Sequence, residues 1–574
     1  MRVRTWVVTV AAGLVLADAS IVTLALPELL HALHTTVEGV AAVIAVYTLV
    51  LAAALLPAER LVRRVGAPAA ATGGFALFAA ASVVCAAAGS LPLLLLARGV
   101  QAAGGAVGLV AAFVLISGGT AAGRRHWLGA AVMASAVGPA LGGALTQAFS
   151  WQAIFVAQIP IALAGAAAAL APAASLVTAD RAGGSEDARA PVGRPGCAHP
   201  ELTGPARQAA PARTRDAVAL ALVSGALAAV LFGLVLLLVA GWAVEPLGAA
   251  AAVTVLPLAA LAGAQVRMEP RLRALCGSLL IGGGVLALAW LPTASVAWTL
   301  PPQALAGVGM GMALPAFAGE LLPERTAREA ARLLTVRHVG IALGLVALAP
   351  VIAHRLDVVT EHAQEQGIAL VLDARLPPQD KLTLAPALLG GVEAARPRAA
   401  LRQALAANGR GYTGSERATY DQLAHRADGI LVSAVGDAFR LAFVLAGVLA
   451  LVGAAALALG ARRRALPAAA LAGAVALMVG LPTAYAAIHH HDEPAPVVLA
   501  NPCKPRTLPG TGGISGFIQD RALQALDAAA CRYGSTREEL VLALASDRAA
   551  KRFEQRHGIN PRSITSLLQG LLGP

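Results

Sequence analysis

Residues 217–240 read AVALALVSGALAAVLFGLVLLLVA, a stretch of 24 positions without one charged side chain. The hydrocarbon core of a bilayer is roughly 30 Å thick, and a helix crosses it with about 20 apolar residues. Helices of soluble proteins are shorter and keep a polar face. This stretch therefore predicts a membrane-spanning helix.

The rest of the chain repeats the pattern. Its 574 residues are 57% hydrophobic and 13% charged, whereas a soluble chain averages roughly 45–50% apolar and about 25% charged residues. The apolar runs predict membrane helices at 6–29, 39–58, 68–88, 91–115, 127–147, 152–175, 217–240, 247–266, 274–292, 296–320, 331–353, 438–460 and 465–487. We predict an all-α polytopic membrane protein: six helices, a polar linker at 176–216, six more helices and one extra helix.

Arginines in the short loops indicate the orientation. They occur in alternate loops and at the N-terminus: Arg2, Arg4, Arg60, Arg63, Arg64, Arg124, Arg125, Arg267, Arg271, Arg273, Arg325, Arg328, Arg462, Arg463 and Arg464. The loops at 30–38, 89–90, 148–151, 241–246 and 293–295 contain no Lys or Arg. Because positive loops stay in the cytoplasm, we expect an inner (plasma) membrane protein with a cytoplasmic N-terminus. The net charge of +12 is spread over loops and does not indicate nucleic-acid binding.

The same parity places two polar segments, 354–437 and 488–574, outside the cytoplasm. The predicted domains are an N-terminal half at 1–175, the linker, a C-terminal half at 217–460 that carries the first segment, the extra helix at 461–487, and a small helical C-terminal domain. Ser535-Thr536-Arg537-Glu538 resembles a capping box and predicts a helix start. Cys503 and Cys531 would face the oxidising side. We predict a disulfide between them, with two free thiols as the alternative.

Four stretches of the first half carry recognisable motifs. They are Ala17–Pro27 in the first predicted helix, Arg98–Gly105 in the fourth, Gly138–Gly143 in the fifth and Ser150–Pro160 at the start of the sixth. Together they resemble the drug:proton antiporters (QacA/EmrB-like) of the major facilitator superfamily. The resemblance implies two six-helix halves and a secondary transporter, neither an enzyme nor the holder of a cofactor. It also implies that Gly138, Pro139, Gly142 and Gly143 form the helix-5 antiporter motif.

The loop between the second and third predicted helices departs from that family. The usual GxLaDrxGrr motif survives as ERLVRRVG, which supplies Glu59, Arg60, Arg63, Arg64 and Gly66. The family's Asp, which helps to latch the cytoplasmic side, has no counterpart at its usual place. We assign these residues to a cytoplasmic gating loop with altered energetics.

Ionised side chains inside a bilayer cost free energy, so the few that occur there are candidates for functional residues. Asp18 lies mid-helix and is either a carboxylate for which protons and substrate compete or a structural hydrogen-bonding group. Arg98, with Gln101 of the same motif, is either a switchable partner of Asp18 or half of a fixed ion pair. In the second half Arg337 and His338 are the candidates, although a lone His is more often a packed hydrogen-bonding residue.

Three functions remain open from the sequence. The first is proton-coupled export of amphipathic small molecules, with Asp18 as the coupling group. The second is export of an envelope lipid or glycoconjugate, received by an envelope partner of the outer domains. The third is a transporter-derived scaffold or sensor. Protons and membrane lipids are the expected partners. No nucleotide-binding motif occurs, and the tract His489–Glu493 is more typical of a solvated linker than of a metal site.

Overall fold

The computed structural model describes residues 2–117, 137–170, 210–318, 326–381, 384, 397–459, 468–492, 497–510 and 513–563. Every regular element among these residues is helical, which confirms the all-α prediction. The predicted linker 176–216 lies largely outside the described residues. We call the side of the bundle that holds the N-terminus the proximal side and the opposite side the distal side.

The membrane bundle contains fourteen described helices or helix segments. They are α1 (Arg2–Thr23), α2 (Leu26–Ala32), α3 (Val37–Val65), α4 (Ala67–Ala86), α5 (Leu91–Ser117), α6 (137–148), α7 (Trp151–Leu170), α8 (Ala210–Val235), α9 (Pro246–Ala264), α10 (Pro270–Ala287), α11 (Val296–Ala316), α12 (Ala327–Asp373), α14 (Gly414–Leu459) and α15 (Ala468–Asp492). A short helix α13 (Pro397–Asn408) lies between α12 and α14. Within the described residues, eleven helices are long and apolar enough to cross a membrane.

The first predicted span is broken near its distal end. Helix α1 stops at Thr23, and α2 restarts at Leu26 with Pro27 in its first turn. Proline has no backbone N–H to give and is best tolerated in the first turn of a helix. The break therefore follows from the position of Pro27.

Small residues let the helix backbones approach closely. A methyl group added at Gly74 would overlap the backbone of Gly108, so α4 and α5 touch through glycine. In the second half, Gly340 and Gly344 of α12 lie against Ala221 and Gly225 of α8 in the same way. Such contacts replace the hydrophobic effect as the source of helix association in lipid.

Helices α12 and α14 are much longer than the predicted spans 331–353 and 438–460. They contain 47 and 46 residues, which is about 70 Å at 1.5 Å per residue. Hydropathy marks only the part of a helix that lies in lipid. Beyond Pro350 no Gly or Pro interrupts α12 until Gly367, so the backbone continues as a solvated helix. The predicted segment 354–437 therefore begins and ends as continuations of the two membrane helices.

The C-terminal domain consists of α16 (Gly513–Tyr533), α17 (Arg537–Ala545) and α18 (Asp547–His557). Helix α17 begins one residue later than the predicted capping box, because the Thr536 hydroxyl accepts a hydrogen bond from the backbone N–H of Glu539. Cys503 and Cys531 are bonded, with Cα atoms 5.1 Å apart. The bond fixes the segment that precedes α16 to the end of that helix.

Candidate functional site

A buried ion pair lies inside the N-terminal half. Arg98 Nη2 of α5 lies 2.6 Å from Asp18 Oδ2 of α1, and both side chains are fully buried. Taking both charges out of water is costly, and only close mutual contact with further hydrogen bonds compensates for it. The geometry therefore brings together two of the residues that the sequence identifies.

Two glutamines close a ring around this pair. Arg98 Nη1 donates to Gln101 Oε1 at 2.6 Å. Gln101 Nε2 donates at 2.8 Å both to Gln158 Oε1 and to Ser82 Oγ. Gln158 Nε2 completes the ring by donating to Asp18 Oδ1 at 2.8 Å. The ring joins α1, α4, α5 and α7, so any change in its charge reaches four helices.

Helix α3 contributes an aromatic wall. The Arg98 guanidinium carbon lies 4.1 Å from the centre of the Tyr47 ring, a distance at which the ring face attracts a cation. The Tyr47 hydroxyl donates to the carbonyl of Val15 at 2.9 Å. Protonation of Asp18 would leave Arg98 with the ring, Gln101 and the Val43 carbonyl, but without an anion.

The helix-5 motif lies beside Asp18 and at the contact between the halves. A methyl group added at Gly138 would overlap Ser20, and one added at Gly142 would overlap the carbonyl of Ile21, both on α1. A methyl added at Gly143 would instead overlap Ala250 of α9. This helix thus touches the neighbours of Asp18 through Gly138 and Gly142 and the other half of the protein through Gly143.

The residues predicted to form the gating loop are mostly helical, because α3 continues to Val65 and only Gly66 separates it from α4. Glu59 is buried, and its carboxylate accepts from Arg63 Nε at 2.9 Å, one helical turn away. Arg60 and Arg64 are exposed, and Gly66 has a φ of +86°, which favours glycine. The Glu59–Arg63 pair lies within one helix, and the assignment of these residues to gating stays a prediction.

Arg337 and His338 lie on α12, apart from the ring. His338 is buried and its Nδ1 donates to the carbonyl of Leu334 at 2.7 Å. Arg337 is partly exposed. At the distal end, Arg440 Nη2 donates a hydrogen bond to His489 Nε2 at 2.8 Å, and His489 Nδ1 donates to the Leu291 carbonyl at 3.0 Å.

Sequence reasoning missed Gln158, Ser82 and Tyr47 as parts of the site. Their signal is that each is a polar group in an apolar span, and such groups in lipid are rarely without a partner. Spacing could not reveal the partner, because Gln158 and Asp18 are 140 residues apart.

A family model described as Major Facilitator Superfamily matches residues 8–348, more than half of the chain. The chain belongs to the Major Facilitator Superfamily. It is therefore a multi-pass membrane protein that transports some small-molecule substrate, and it is not an enzyme. A comparison with curated proteins gives no match.

A comparison with solved structures gives several other transporters. A bacterial homologue of the human lysosomal transporter Spinster, in an inward-facing and occupied conformation, is 17% identical with a TM-score of 0.52, over 81% of this chain and 98% of the other. The nucleoside transporter NupG is 11% identical with a TM-score of 0.44, over 61% and 92% of the two chains. A POT family transporter in complex with a peptide conjugate is 11% identical with a TM-score of 0.46, over 61% and 90%.

Proposed function

We propose that this facilitator is a proton-coupled exporter of amphipathic small molecules, of the drug:proton antiporter type. In this proposal the proximal side is cytoplasmic, and the protein lies in the inner membrane. The observation that supports it best is the fully buried Asp18–Arg98 pair. A proton bound by the Asp18 carboxylate would change the net charge of this buried hydrogen-bond network.

The contacts suggest how a proton on Asp18 would affect the halves. Loss of its charge weakens the attraction between Arg98 and α1, because the Coulomb attraction between two opposite charges, which is strong in a buried site, disappears. The backbone beside Asp18 packs on Gly138 and Gly142, and the next glycine of that helix packs on Ala250 in the other half. At the same end, the Leu247 backbone N–H donates to Gln147 Oε1 at 2.8 Å, also across the halves. Protonation thus acts on a helix that contacts both halves.

Dye transport into inverted vesicles tests the proposal. We would compare wild type, wild type with a proton uncoupler, and Asp18→Asn. The matched control is Asp216→Asn, which alters a second buried carboxylate that lies 3.5 Å from an arginine, Arg271, in the other half. We expect the uncoupler and Asp18→Asn to abolish transport, whereas Asp216→Asn retains it.

The outcomes separate the parts of the proposal. Transport that stops with the uncoupler but survives in Asp18→Asn would keep proton coupling and remove Asp18 from it. Transport that ignores the uncoupler would refute proton coupling.

One observation favours a second candidate, the export of an envelope lipid or glycoconjugate. The C-terminal domain packs on the distal extension of α12 through an apolar contact of Ile368 with Leu542 and Ala549. A domain held there would be placed to receive cargo. Unchanged cargo delivery and envelope composition after deletion of 488–574 would remove this support.

A further inference from the structure

The deep part of the membrane bundle contains few acidic or basic side chains. Only Asp18, Arg98, Arg337 and His338 lie at least six residues inside a predicted span. The first two neutralise each other at 2.6 Å. A neutral His338 leaves Arg337 as the charge that is not balanced within this group.

The position of Arg337 on its helix is informative. Val346, nine residues later, is 60% exposed on the outer face of α12. Nine residues are two and a half turns at 3.6 residues per turn, so Arg337 lies on the opposite face. That face is turned towards the protein interior, yet Arg337 is partly exposed. Its exposed part therefore lies on the side of α12 that faces the other helices, opposite the exposed side chain of Val346.

No hydrogen bond or ion pair joins Arg337 to another residue in the described part of the chain. By contrast, Arg332 on the exposed side of the same helix is paired with Glu329 at 2.8 Å. Arginine keeps its proton in proteins, and an unpaired cation in a membrane span is costly. A second, negative charge next to Arg337 would offset this cost.

We infer that this charge belongs to the substrate, and that the exporter carries amphiphiles with an anionic head group, such as a carboxylate or a phosphate, bound by Arg337. The inference rests on the proposed function and narrows its substrate class. Asp18 does not offer a site for a cationic substrate in this structure, because Arg98 and Gln158 occupy its two oxygens. The planar guanidinium of Arg337 is suited to bidentate binding of an acid group.

Equilibrium binding to the purified full-length protein in a nonionic detergent tests the inference. The probes are pyrenedodecanoate, an anion, and the pyrenedodecyl trimethylammonium ion, a cation with the same tail. Energy transfer from the protein's tryptophans to pyrene reports binding, and unlabelled dodecyl phosphate defines the displaceable signal. The variants are Arg337→Gln, Arg337→Lys and the matched control Arg332→Gln.

We expect the wild type to bind the anionic probe roughly tenfold or more tightly than the cationic probe, the gain from a charged hydrogen bond. Arg337→Gln should abolish this preference, Arg337→Lys should keep most of it, and Arg332→Gln should leave it unchanged. Equal binding of the two probes by the wild type would overturn the inference, and this result requires no variant to fold. A preference that survives in Arg337→Gln would overturn it too.

Binding at equilibrium requires no proton gradient. Selective binding without uncoupler-sensitive transport would therefore refute the proposed coupling alone, and coupled transport without charge selectivity would refute the anionic substrate alone.

Discussion

At the scale of single residues, the two charged groups of the buried ring, Asp18 and Arg98, differ in whether they can become neutral. A buried carboxylate can take up a proton and become neutral, whereas a guanidinium cannot lose its proton. Removal of the Asp18 side chain would thus leave Arg98 as a buried cation that cannot become neutral by losing a proton. Removal of Arg98 would leave an acid that neutralises itself.

This asymmetry predicts the stability of three variants. We expect Asp18→Ala to destabilise the protein by about 3–5 kcal/mol, the usual cost of an uncompensated buried charge. Arg98→Met should cost less, and the double variant Asp18→Ala/Arg98→Met should recover most of the loss. Thermal unfolding of detergent-purified protein would measure this. A double variant less stable than Asp18→Ala would contradict the explanation.

Lys381, just beyond α12, gives a pH-dependent prediction. Burial lowers the pKa of its ammonium group to about 8, and its Nζ donates to the carbonyl of Leu372 at 2.8 Å. Between pH 8 and the ordinary lysine pKa near 10.5, the unfolded chain binds more protons than the folded one. Stability should therefore rise with pH through this window. The difference in unfolding temperature between wild type and Lys381→Met, followed from about pH 7.5 to 10.5, measures the effect; a constant difference would contradict it.

The sequence predicts the individual residues of the site better than their contacts. Asp18, Arg98 and Gln101 are recognisable because charged and amide groups are costly in an apolar span and are therefore rare there. Their assembly with Gln158 depends on how four helices pack, which local patterns do not encode. Arg337 is visible in the sequence as well, but the absence of a described partner for it is visible only in the structure.

At the scale of elements, two neighbouring glycines of α6 have different tasks. Gly142 touches α1 within its own half, and Gly143 touches α9 of the other half. We expect Gly142→Ala to lower the unfolding temperature, because Ile21 backbone atoms must move. Gly143→Ala should instead slow transport more than it lowers stability, because it pushes the halves apart.

Gly73→Ala is the control for this pair, since a methyl group added there meets no atom within 4 Å. The measurements are vesicle transport and thermal unfolding of the same three variants. Equal ratios of transport loss to stability loss for Gly142→Ala and Gly143→Ala would show that the two glycines do not differ in role.

Element lengths show where hydropathy stops being informative. The spans of α12 and α14 are predicted where the residues are apolar, but α12 ends only at Asp373 and α14 begins already at Gly414. Helix α12 continues through Asp357 and Glu361 because nothing in that stretch breaks a helix. The polar residues after 353 predicted a separate insert. In the structure the same helix continues, and only its surroundings change from apolar to polar.

At the scale of the whole molecule, α12 connects the transport core to the C-terminal domain. About 31 residues separate Arg337 from Ile368, a distance of roughly 45 Å along one helix. Beyond the membrane, α12 meets the domain through Arg537, which lies 2.7 Å from Asp373, and through Arg556, which lies 3.2 Å from Glu361. We therefore expect a movement of α12 during transport to carry the domain with it.

The apolar part of this interface can be tested separately from its charges. Ile368 is 3% exposed and packs against Leu542 and Ala549. In Ile368→Asp a carboxylate would be buried without a partner, which costs several kcal/mol or separates the surfaces. We expect the domain to detach, so that a cysteine introduced by Ala549→Cys, in a Cys197→Ala background, reacts with a membrane-impermeant maleimide.

The labelling rate of this cysteine should rise roughly tenfold for each 1.4 kcal/mol by which the substitution weakens the docking of the domain. Ile368→Leu, which keeps the interface apolar, should label slowly. Slow labelling in Ile368→Asp as well would mean that the ion pairs of Arg537 and Arg556 hold the domain without help from the apolar residues.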